Sequence, residues 1–153
     1  MTASLKSQPG AILRGNYVLL TADTLNLLLP QREVGAAEYL EGALEAGEEP
    51  GLLKLKGTES PHRFAALSAQ MTLLPQCPPE RFLVAKLGNG EDGLGWCWNE
   101  LKILIGVELQ LLPLPAVLLT PNPPVDQYVE FEGKLAYLCS ARQLSAFALA
   151  SRN

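Results

Sequence analysis

The sequence predicts an all-β protein with short helices, built as two small antiparallel β-barrels joined back to back. Three observations lead to this fold class. Apolar and polar residues alternate in short runs along the 153-residue chain, which is typical of strands with one buried face. Glycine and proline separate these runs. The order of elements in the first half also recurs in the second half, and closing each sheet into a barrel removes its exposed edges.

The first half begins with a polar segment that we expect to be loose over residues 1–14. The stretch "AILRGNYVLLTADTLNLLLP" then predicts two strands around the turn "TADT". The second strand is expected to end at Pro30, because proline cannot extend a ladder of hydrogen bonds. Residues 32–51 fit either a helix with an apolar face, or a strand that finishes at Val34 and leads into an acidic solvated loop.

The stretch "PGLLKLKG" at residues 50–57 is a regular strand pattern. Leu53 and Leu55 alternate with Lys54 and Lys56, and glycines close both ends. One face of this strand is therefore predicted to be buried, while the two lysines share the exposed face. After a polar turn, "FAALSAQMTLLPQ" predicts a short helix that ends before Pro75. Its apolar residues at helical spacing are Phe64, Leu67, Met71 and Leu74.

The second half repeats this order after "PQCPPE", which is the predicted boundary between lobes at about residues 15–75 and 80–140. "RFLVAKL" predicts a strand, "GNGEDG" a hairpin turn, and "LGWCWNELKILIGVELQLLPLP" a long strand. The proline-rich loop "LTPNPPVD" leads to "QYVEFEGKLAYLC", a hairpin with its turn at "EGK". A helix is predicted over residues 140–150, with Ser140 as N-cap and an apolar face of Leu144, Phe147 and Ala148.

Composition argues against several classes of function. The formal net charge is −4, and the twelve Lys and Arg are scattered singly, whereas nucleic-acid binding needs a basic stripe. No apolar run approaches the ~20 residues of a membrane helix, and "MTASLKSQPG" lacks the apolar segment of a signal peptide. Cys77, Cys97 and Cys139 lack paired spacing, which is typical of reduced thiols in a cytoplasmic protein. The leucine surplus also favours self-association.

Residues with catalytic chemistry are few. His62 is the only histidine, and a small hydrolase would have to pair it with Cys77; an exposed loop histidine and an incidental thiol are the simpler interpretation. We therefore predict no enzyme activity, no metal site and no cofactor. Trp96 and Trp98 share one face of a strand, where they either fill a barrel core or stack on a small ligand. Core filling is favoured, and Cys97 then points to the opposite face.

This order and spacing resemble the CheW-like domain family, the adaptors of bacterial chemosensory arrays. Residues 51–57 follow the family's central strand between two glycines, and Pro61 falls at the family's proline. Lys54 and Lys56 replace the family's Asn and Arg. The places of the later family elements are taken by Phe82 to Leu87, Gly93 to Leu101, "LLPLP" at 111–115, the hairpin around Gly133 and the Leu144 helix. The likeness covers about residues 15–150.

The resemblance implies two five-stranded SH3-like barrels that share a core, in a single domain over residues 15–153. It also implies a cytoplasmic, non-catalytic adaptor that couples a CheA-type histidine kinase to the cytoplasmic tip of a chemoreceptor, with a pilus-type chemosensory system as one candidate setting. The protein-binding residues expected on this basis are Val34, Leu53, Lys54 and Lys56. The structural residues are Gly51, Gly57, Pro61 and Gly133. The alternatives are a divergent barrel that binds a small ligand or another protein, and the His62–Cys77 hydrolase.

Overall fold

The computed structural model describes residues 11–49, 51–57, 62–88, 94–113 and 127–151, and over these residues the chain forms two six-stranded sheets and one α-helix. The mainly β fold class is thus confirmed. The strands in chain order are β1 (Ile12–Ala22), β2 (Leu25–Pro30), β3 (Val34–Tyr39), β4 (Leu44–Ala46), β5 (Leu53–Leu55), β6 (Arg63–Ala65), β7 (Leu83–Leu87), β8 (Leu94–Trp98), β9 (Glu100–Gln110), β10 (Leu112–Pro113), β11 (Gln127–Phe131) and β12 (Lys134–Leu138). The helix α1 is Ala141–Ser151.

The two sheets have the same strand order and the same strand directions. The first sheet runs β9-β1-β2-β12-β11-β10, and the second runs β3-β7-β8-β6-β5-β4. In each sheet the third and fourth strands are parallel, and every other neighbouring pair is antiparallel. Strands β1 and β2 of the first half therefore lie in the same sheet as β9–β12 of the second half. In the same way, β7 and β8 of the second half lie in the same sheet as β3–β6 of the first half.

The chain crosses between the sheets at the 3-10 turn Gln31–Glu33 and at Asn99. The boundary predicted from "PQCPPE" lies between β6 and β7, which both belong to the second sheet. The predicted long strand after residue 94 is also divided, because Asn99 separates β8 from β9. The N–H of Asn99 donates to the carbonyl oxygen of Thr21 at 2.8 Å, which fixes this crossing to β1.

Within the part of the chain that the structure describes, three apolar clusters build the core. The central cluster lies between the sheets and contains Trp96, Trp98 and Leu144 together with alternate apolar residues of β1 and β2. The intervening residues of β1 and β2 enter a second cluster with residues of β9, β11 and β12, so the first sheet curves around it. The third cluster lies against the second sheet and contains Leu53, Phe64, Ala66 and Cys97. Core filling by both tryptophans and the opposite direction of Cys97 are confirmed.

The start of α1 is capped as the sequence predicts. The Ser140 hydroxyl accepts a hydrogen bond from the N–H of Gln143 at 3.1 Å, and the Gln143 side-chain oxygen accepts one from the N–H of Ser140 at 2.9 Å. This reciprocal pair satisfies two donors at the helix end. The Glu33 carboxylate accepts a third bond from Ala141 N–H at 2.8 Å. The helix is therefore anchored to the turn where the chain changes sheets, while the side chains of Phe147 and Ala148 lie outside the described residues.

The helix predicted from "FAALSAQMTLLPQ" is wrong. Its first residues belong to β6, which pairs with β8, and Leu67 then bridges to Leu73 across a tight turn. The Ser68 hydroxyl accepts hydrogen bonds from the N–H groups of Gln70 and Thr72 at 3.2 and 3.1 Å. Such side-chain acceptors compete with helical hydrogen bonds. The helical option for residues 32–51 is also wrong, because β3 and β4 occupy this stretch.

Other predictions concern chain ends and turns. The loose segment predicted over residues 1–14 is too long, since β1 begins at Ile12. The "TADT" turn and the end of β2 at Pro30 are confirmed. The hairpin turn at "EGK" is confirmed as well, with Phe131 paired to Lys134 and positive φ angles at Glu132 and Gly133. Most of "GNGEDG", all of "LTPNPPVD" and Pro61 lie outside the described residues.

Candidate functional site

A cavity of about 440 Å³ opens on the second sheet, beside its edge strand β3. Its apolar residues Leu40, Leu55, Phe64 and Val84 also belong to the third cluster. Charged or titratable residues around it are Glu38, Glu41, His62, Arg63 and Lys86. An apolar interior with a few polar groups at its margin is typical of a binding site, and the volume lies in the range of small-ligand pockets. We call this feature the β3 cavity.

Two local features of the backbone accompany the β3 cavity. Gly95 is buried in β8, and a Cβ atom at this position would lie 2.8 Å from Val84 Cγ1 and 3.1 Å from Phe64 Cδ1. A side chain at residue 95 would thus collide with two residues that line the cavity. The pairing of β3 with β7 also shifts register between Val34 and Ala37. The edge strand is therefore irregular where it borders the cavity.

An exposed aromatic pair stands at the margin of the β3 cavity. Tyr39 at the end of β3 is 73% exposed and Phe82 is 45% exposed. Their rings stack with centroids 5.9 Å apart and planes inclined by 12°, and the N–H of Leu40 donates to the Phe82 carbonyl oxygen at 2.7 Å. Large apolar side chains exposed together are typical of protein-binding surfaces. Sequence analysis missed this pair because the contact joins two distant segments.

The four predicted binding residues lie near the β3 cavity, although none of them lines it. Val34 begins β3 and is half-buried against the central cluster. Lys54 forms an ion pair with Glu45, its cross-strand neighbour, at 3.8 Å. Lys56 is exposed just after β5. Leu53 requires a correction, because it is only 1% exposed and packs in the third cluster. It therefore contributes to the core and offers no surface to a partner.

The glycines of the predicted signature adopt backbone conformations that favour glycine. Gly51, Gly57 and Gly133 have φ angles of 80°, 79° and 78°. Residues other than glycine are strained at such positive φ angles. At Gly51 a Cβ atom would also lie 2.9 Å from Leu73 Cδ1, whereas the same atom at Gly57 or Gly133 would meet nothing within 4 Å.

These two glycine environments give a matched prediction. Gly133→Ala should lower the free energy of unfolding by about 1 kcal/mol through backbone strain. Gly51→Ala should cost about 2 to 3 kcal/mol, because the contact with Leu73 adds to that strain. Urea denaturation followed by circular dichroism measures both values. Equal losses in the two variants would show that Leu73 moves aside freely.

A buried arginine joins the two sheets. The Arg81 side chain is completely buried, and its guanidinium donates to the Asp23 carboxylate at 3.0 Å, to the Leu67 carbonyl oxygen at 2.5 Å and to the Cys97 carbonyl oxygen at 3.5 Å. Asp23 belongs to the turn between β1 and β2 in the first sheet, and Cys97 belongs to β8 in the second. Asn99 supports this turn by accepting a hydrogen bond from the Asp23 N–H at 2.5 Å. Sequence analysis placed Arg81 in a strand and missed its role.

The residues of the hydrolase alternative occupy different surroundings. His62 is exposed and lines the β3 cavity. Cys77 packs against the third cluster, and its thiol lies 3.6 Å from the Pro78 carbonyl oxygen and 3.7 Å from that of Arg81. Burial, followed by the charge of Glu33, raises the pKa of Cys139, so this third thiol is a weak nucleophile.

Comparison with known proteins gives no family assignment: no known family model matches the chain, and no curated protein matches it either. Within the described ranges, no three or more side chains of His, Cys, Asp or Glu are grouped closely enough to bind a metal ion. The helical part of the same residues includes no segment with the length and apolar content needed to span a bilayer. The candidate site consists of the β3 cavity, its exposed aromatic pair and the neighbouring Lys54 and Lys56.

Proposed function

We propose that this chain is a chemotaxis-type adaptor of CheW-like architecture, with two five-stranded SH3-like lobes and no catalytic activity. It would couple a CheA-type histidine kinase to the cytoplasmic tip of a chemoreceptor. The observation that carries the proposal is the equivalence of the two sheets, which share one strand order and one pattern of directions around a common core. Each sheet has six strands over the described residues, whereas the resemblance implies five-stranded lobes, so the support comes from the shared strand order and directions alone.

Two equivalent sheet edges give the adaptor its docking surfaces. Strand β3 is the edge of the second sheet, and β9 holds the same position in the first. Each edge exposes apolar side chains, Tyr39 on β3 and both Ile103 and Ile105 on β9, the isoleucines being 54% and 63% exposed. Unpaired strand edges with exposed apolar side chains readily bind other chains. One molecule can thus bind two partners at once, and proximity raises their effective concentration.

In the proposed complex the kinase lobe occupies the β3 edge. Tyr39 and Phe82 supply apolar contact area there, which drives binding of such surfaces. Lys54 within β5 and Lys56 just after it carry positive charge on either side of Leu55, which lines the β3 cavity. Charges at the margin of an interface mainly set orientation and partner choice. The receptor tip is then expected on the β9 edge.

The direct test is titration with the regulatory domain of a CheA-type kinase from the same genome. Lys56→Glu should weaken binding at least about tenfold, because it reverses a charge beside the proposed interface. Isothermal titration calorimetry measures the change. Lys134→Glu is the matched control, since Lys134 is also exposed but lies in the β11–β12 hairpin of the first sheet. Equal affinities for wild type and Lys56→Glu would contradict the proposed surface, and absence of wild-type binding would contradict the adaptor.

A small-ligand-binding protein is the second candidate, and the β3 cavity favours it. The ligand position predicted over Trp96 and Trp98 is wrong, because these side chains are 1% and 0% exposed. A ligand would instead contact Phe64 and Leu55 inside the cavity. A panel of metabolites screened by thermal denaturation tests this alternative. A compound that stabilises wild type but not Ala36→Phe, a variant with less space in the cavity, would support it.

A further inference from the structure

The β3 cavity lies beside a row of paired residues that has no side chain at its centre. Gly95 of β8 pairs with Lys86 of β7 on one side and with Phe64 of β6 on the other. All three line the cavity, because paired residues in neighbouring strands share one face of a sheet. A comparable row in the first sheet carries a large side chain at every position and enters the second cluster, with the members Leu19, Leu28 and Leu138.

The missing side chain at Gly95 shapes the apolar part of the cavity. A Cβ atom there would lie 2.8 Å from Val84 Cγ1 and 3.1 Å from Phe64 Cδ1, so these two side chains lie directly against the backbone of β8. Leu55 and Leu40 complete the apolar lining. The cavity can therefore hold an apolar group of a ligand against Phe64.

Opposite charges stand at the margin of this apolar space. Glu38 of β3 pairs with Val84 of β7, and Lys86 lies two residues further along β7. Both side chains therefore belong to the cavity face of the sheet, and diagonal neighbours of this kind are about 7–8 Å apart. Both are exposed, as is Glu41. Among the described residues, the ion pairs of the chain include none of these three.

Arg63 also lines the cavity, but its charged group is engaged elsewhere. It pairs with Leu94, which belongs to the central cluster, so its side chain starts on the opposite face of the sheet from that of Phe64. Its guanidinium donates to the Glu49 carboxylate at 2.8 Å. Lys86 is therefore the lysine or arginine of the lining that is best placed to bind an anion.

We propose that the β3 cavity binds a zwitterionic α-amino acid with a large apolar side chain. The carboxylate of the ligand binds the Lys86 ammonium group, the ammonium group of the ligand binds the Glu38 carboxylate, and the apolar side chain packs on Phe64. This inference rests on the second candidate function, a small-ligand-binding protein, and names its ligand class. It does not depend on the proposed adaptor function.

The charges of the lining favour a zwitterion over other small amphipathic molecules. A fatty acid would bring its negative charge close to Glu38 and Glu41, and an apolar amine would bring its positive charge close to Lys86. Both arrangements place like charges together, which costs binding energy. The volume of about 440 Å³ is in the lower part of the range of ligand pockets, roughly 300–1,000 Å³. It therefore suits a ligand of the size of phenylalanine or leucine.

The test is isothermal titration calorimetry of the full chain with L-phenylalanine and L-leucine. Three matched compounds each lack one recognised group: 3-phenylpropionate has no ammonium group, phenethylamine has no carboxylate, and L-alanine has no large side chain. L-Phenylalanine or L-leucine should bind saturably. Each matched compound should bind at least about tenfold more weakly, because one charge-assisted hydrogen bond or the apolar contact is lost.

Two variants should change the ligand preference in opposite directions. Lys86→Met removes the charge and keeps most of the stem, so it should weaken L-phenylalanine at least about tenfold and leave phenethylamine unchanged or tighter. Glu38→Gln should also weaken L-phenylalanine, while 3-phenylpropionate should bind more tightly. Lys134→Met is the matched control, because Lys134 is exposed in the hairpin of the first sheet, and it should bind as wild type does.

The outcomes against the inference are distinct. Absence of saturable binding by both amino acids would overturn it together with the small-ligand candidate. Equal affinity of 3-phenylpropionate or phenethylamine and L-phenylalanine would overturn the ligand class and leave the cavity as a binding site. Wild-type protein alone provides both measurements, so poor folding of a variant does not prevent the test. Full affinity for L-phenylalanine in both Lys86→Met and Glu38→Gln would overturn the proposed contacts.

Discussion

Arg81→Met is expected to lower the free energy of unfolding by about 3 kcal/mol. Methionine fills a similar volume but cannot replace the hydrogen bonds to the carbonyl oxygens of Leu67 and Cys97, and these acceptors lie at a completely buried position. A buried acceptor without a partner loses the hydration it has in the unfolded chain. The Asp23 carboxylate is 48% exposed, so water can replace its lost partner. Urea denaturation gives the change in stability.

The matched control is Arg14→Met. Arg14 also binds a carboxylate closely, that of Glu108 at 2.8 Å, but the two side chains are 71% and 64% exposed. Exposed ion pairs contribute less than about 1 kcal/mol. Similar losses in the two variants would show that Arg81 does not hold the sheets together. Asp23→Asn gives a second comparison, because asparagine tolerates the φ of 59° at this turn and removes only the charge.

Local signals predicted much of the fold. The turn around Asp23, the hairpin turn at Gly133 and the cap at Ser140 depend on residues close together in the chain, and the structure has all three. The two strands at the start were predicted from the turn cluster between them and from Pro30, and the strand at residues 53–55 was predicted from alternation. These elements could be predicted because their hydrogen bonds or side-chain patterns are set within a few residues.

Features that depend on distant segments could not be predicted. The helical spacing of Phe64 and Leu67 is misleading, since these residues enter different clusters on either side of the second sheet. The change of sheet at Asn99 depends on contacts with β1 and with Glu80. The exchange of β1–β2 and β7–β8 between the two sheets could not be predicted either, because the alternation of apolar and polar residues does not depend on which sheet a strand joins.

The candidate site shows the same division. The exposure of Lys56 and the strand around Leu55 follow from the alternation of apolar and polar residues, which has a period of two. The burial of Leu53 on the same strand face also follows from this period, although Leu53 was assigned to a binding surface. The β3 cavity depends on the register of β3 against β7 and on the close approach of Gly95 to Val84 and Phe64. A single sequence contains no local signal for such a cavity.

Trp98→Ala should have the largest effect, a loss of about 4 kcal/mol in the free energy of unfolding. Trp98 is completely buried in the cluster between the sheets, and its ring lies 6.3 Å from that of Trp96. Truncation removes apolar contacts from both sheets at once and leaves a cavity. Phe82→Ala is the control, because Phe82 is 45% exposed and should cost less than about 1.5 kcal/mol. A loss of less than about 1.5 kcal/mol in Trp98→Ala would mean that the central cluster rearranges to fill the space left by the indole ring.

Trp98→Phe separates packing from hydrogen bonding. The Trp98 indole N–H is buried and has no hydrogen-bond partner among the described residues, so phenylalanine removes an unpaired donor together with part of the ring. We expect a loss of about 1.5 kcal/mol, well below that of alanine, because relief of the unpaired donor offsets some of the lost contact area. Far-ultraviolet circular dichroism and the fluorescence of Trp96 should report one coincident transition in both variants, since the central cluster belongs to both sheets. Separate transitions would show that the sheets unfold independently, and the shared core that underlies the proposed adaptor would then be wrong.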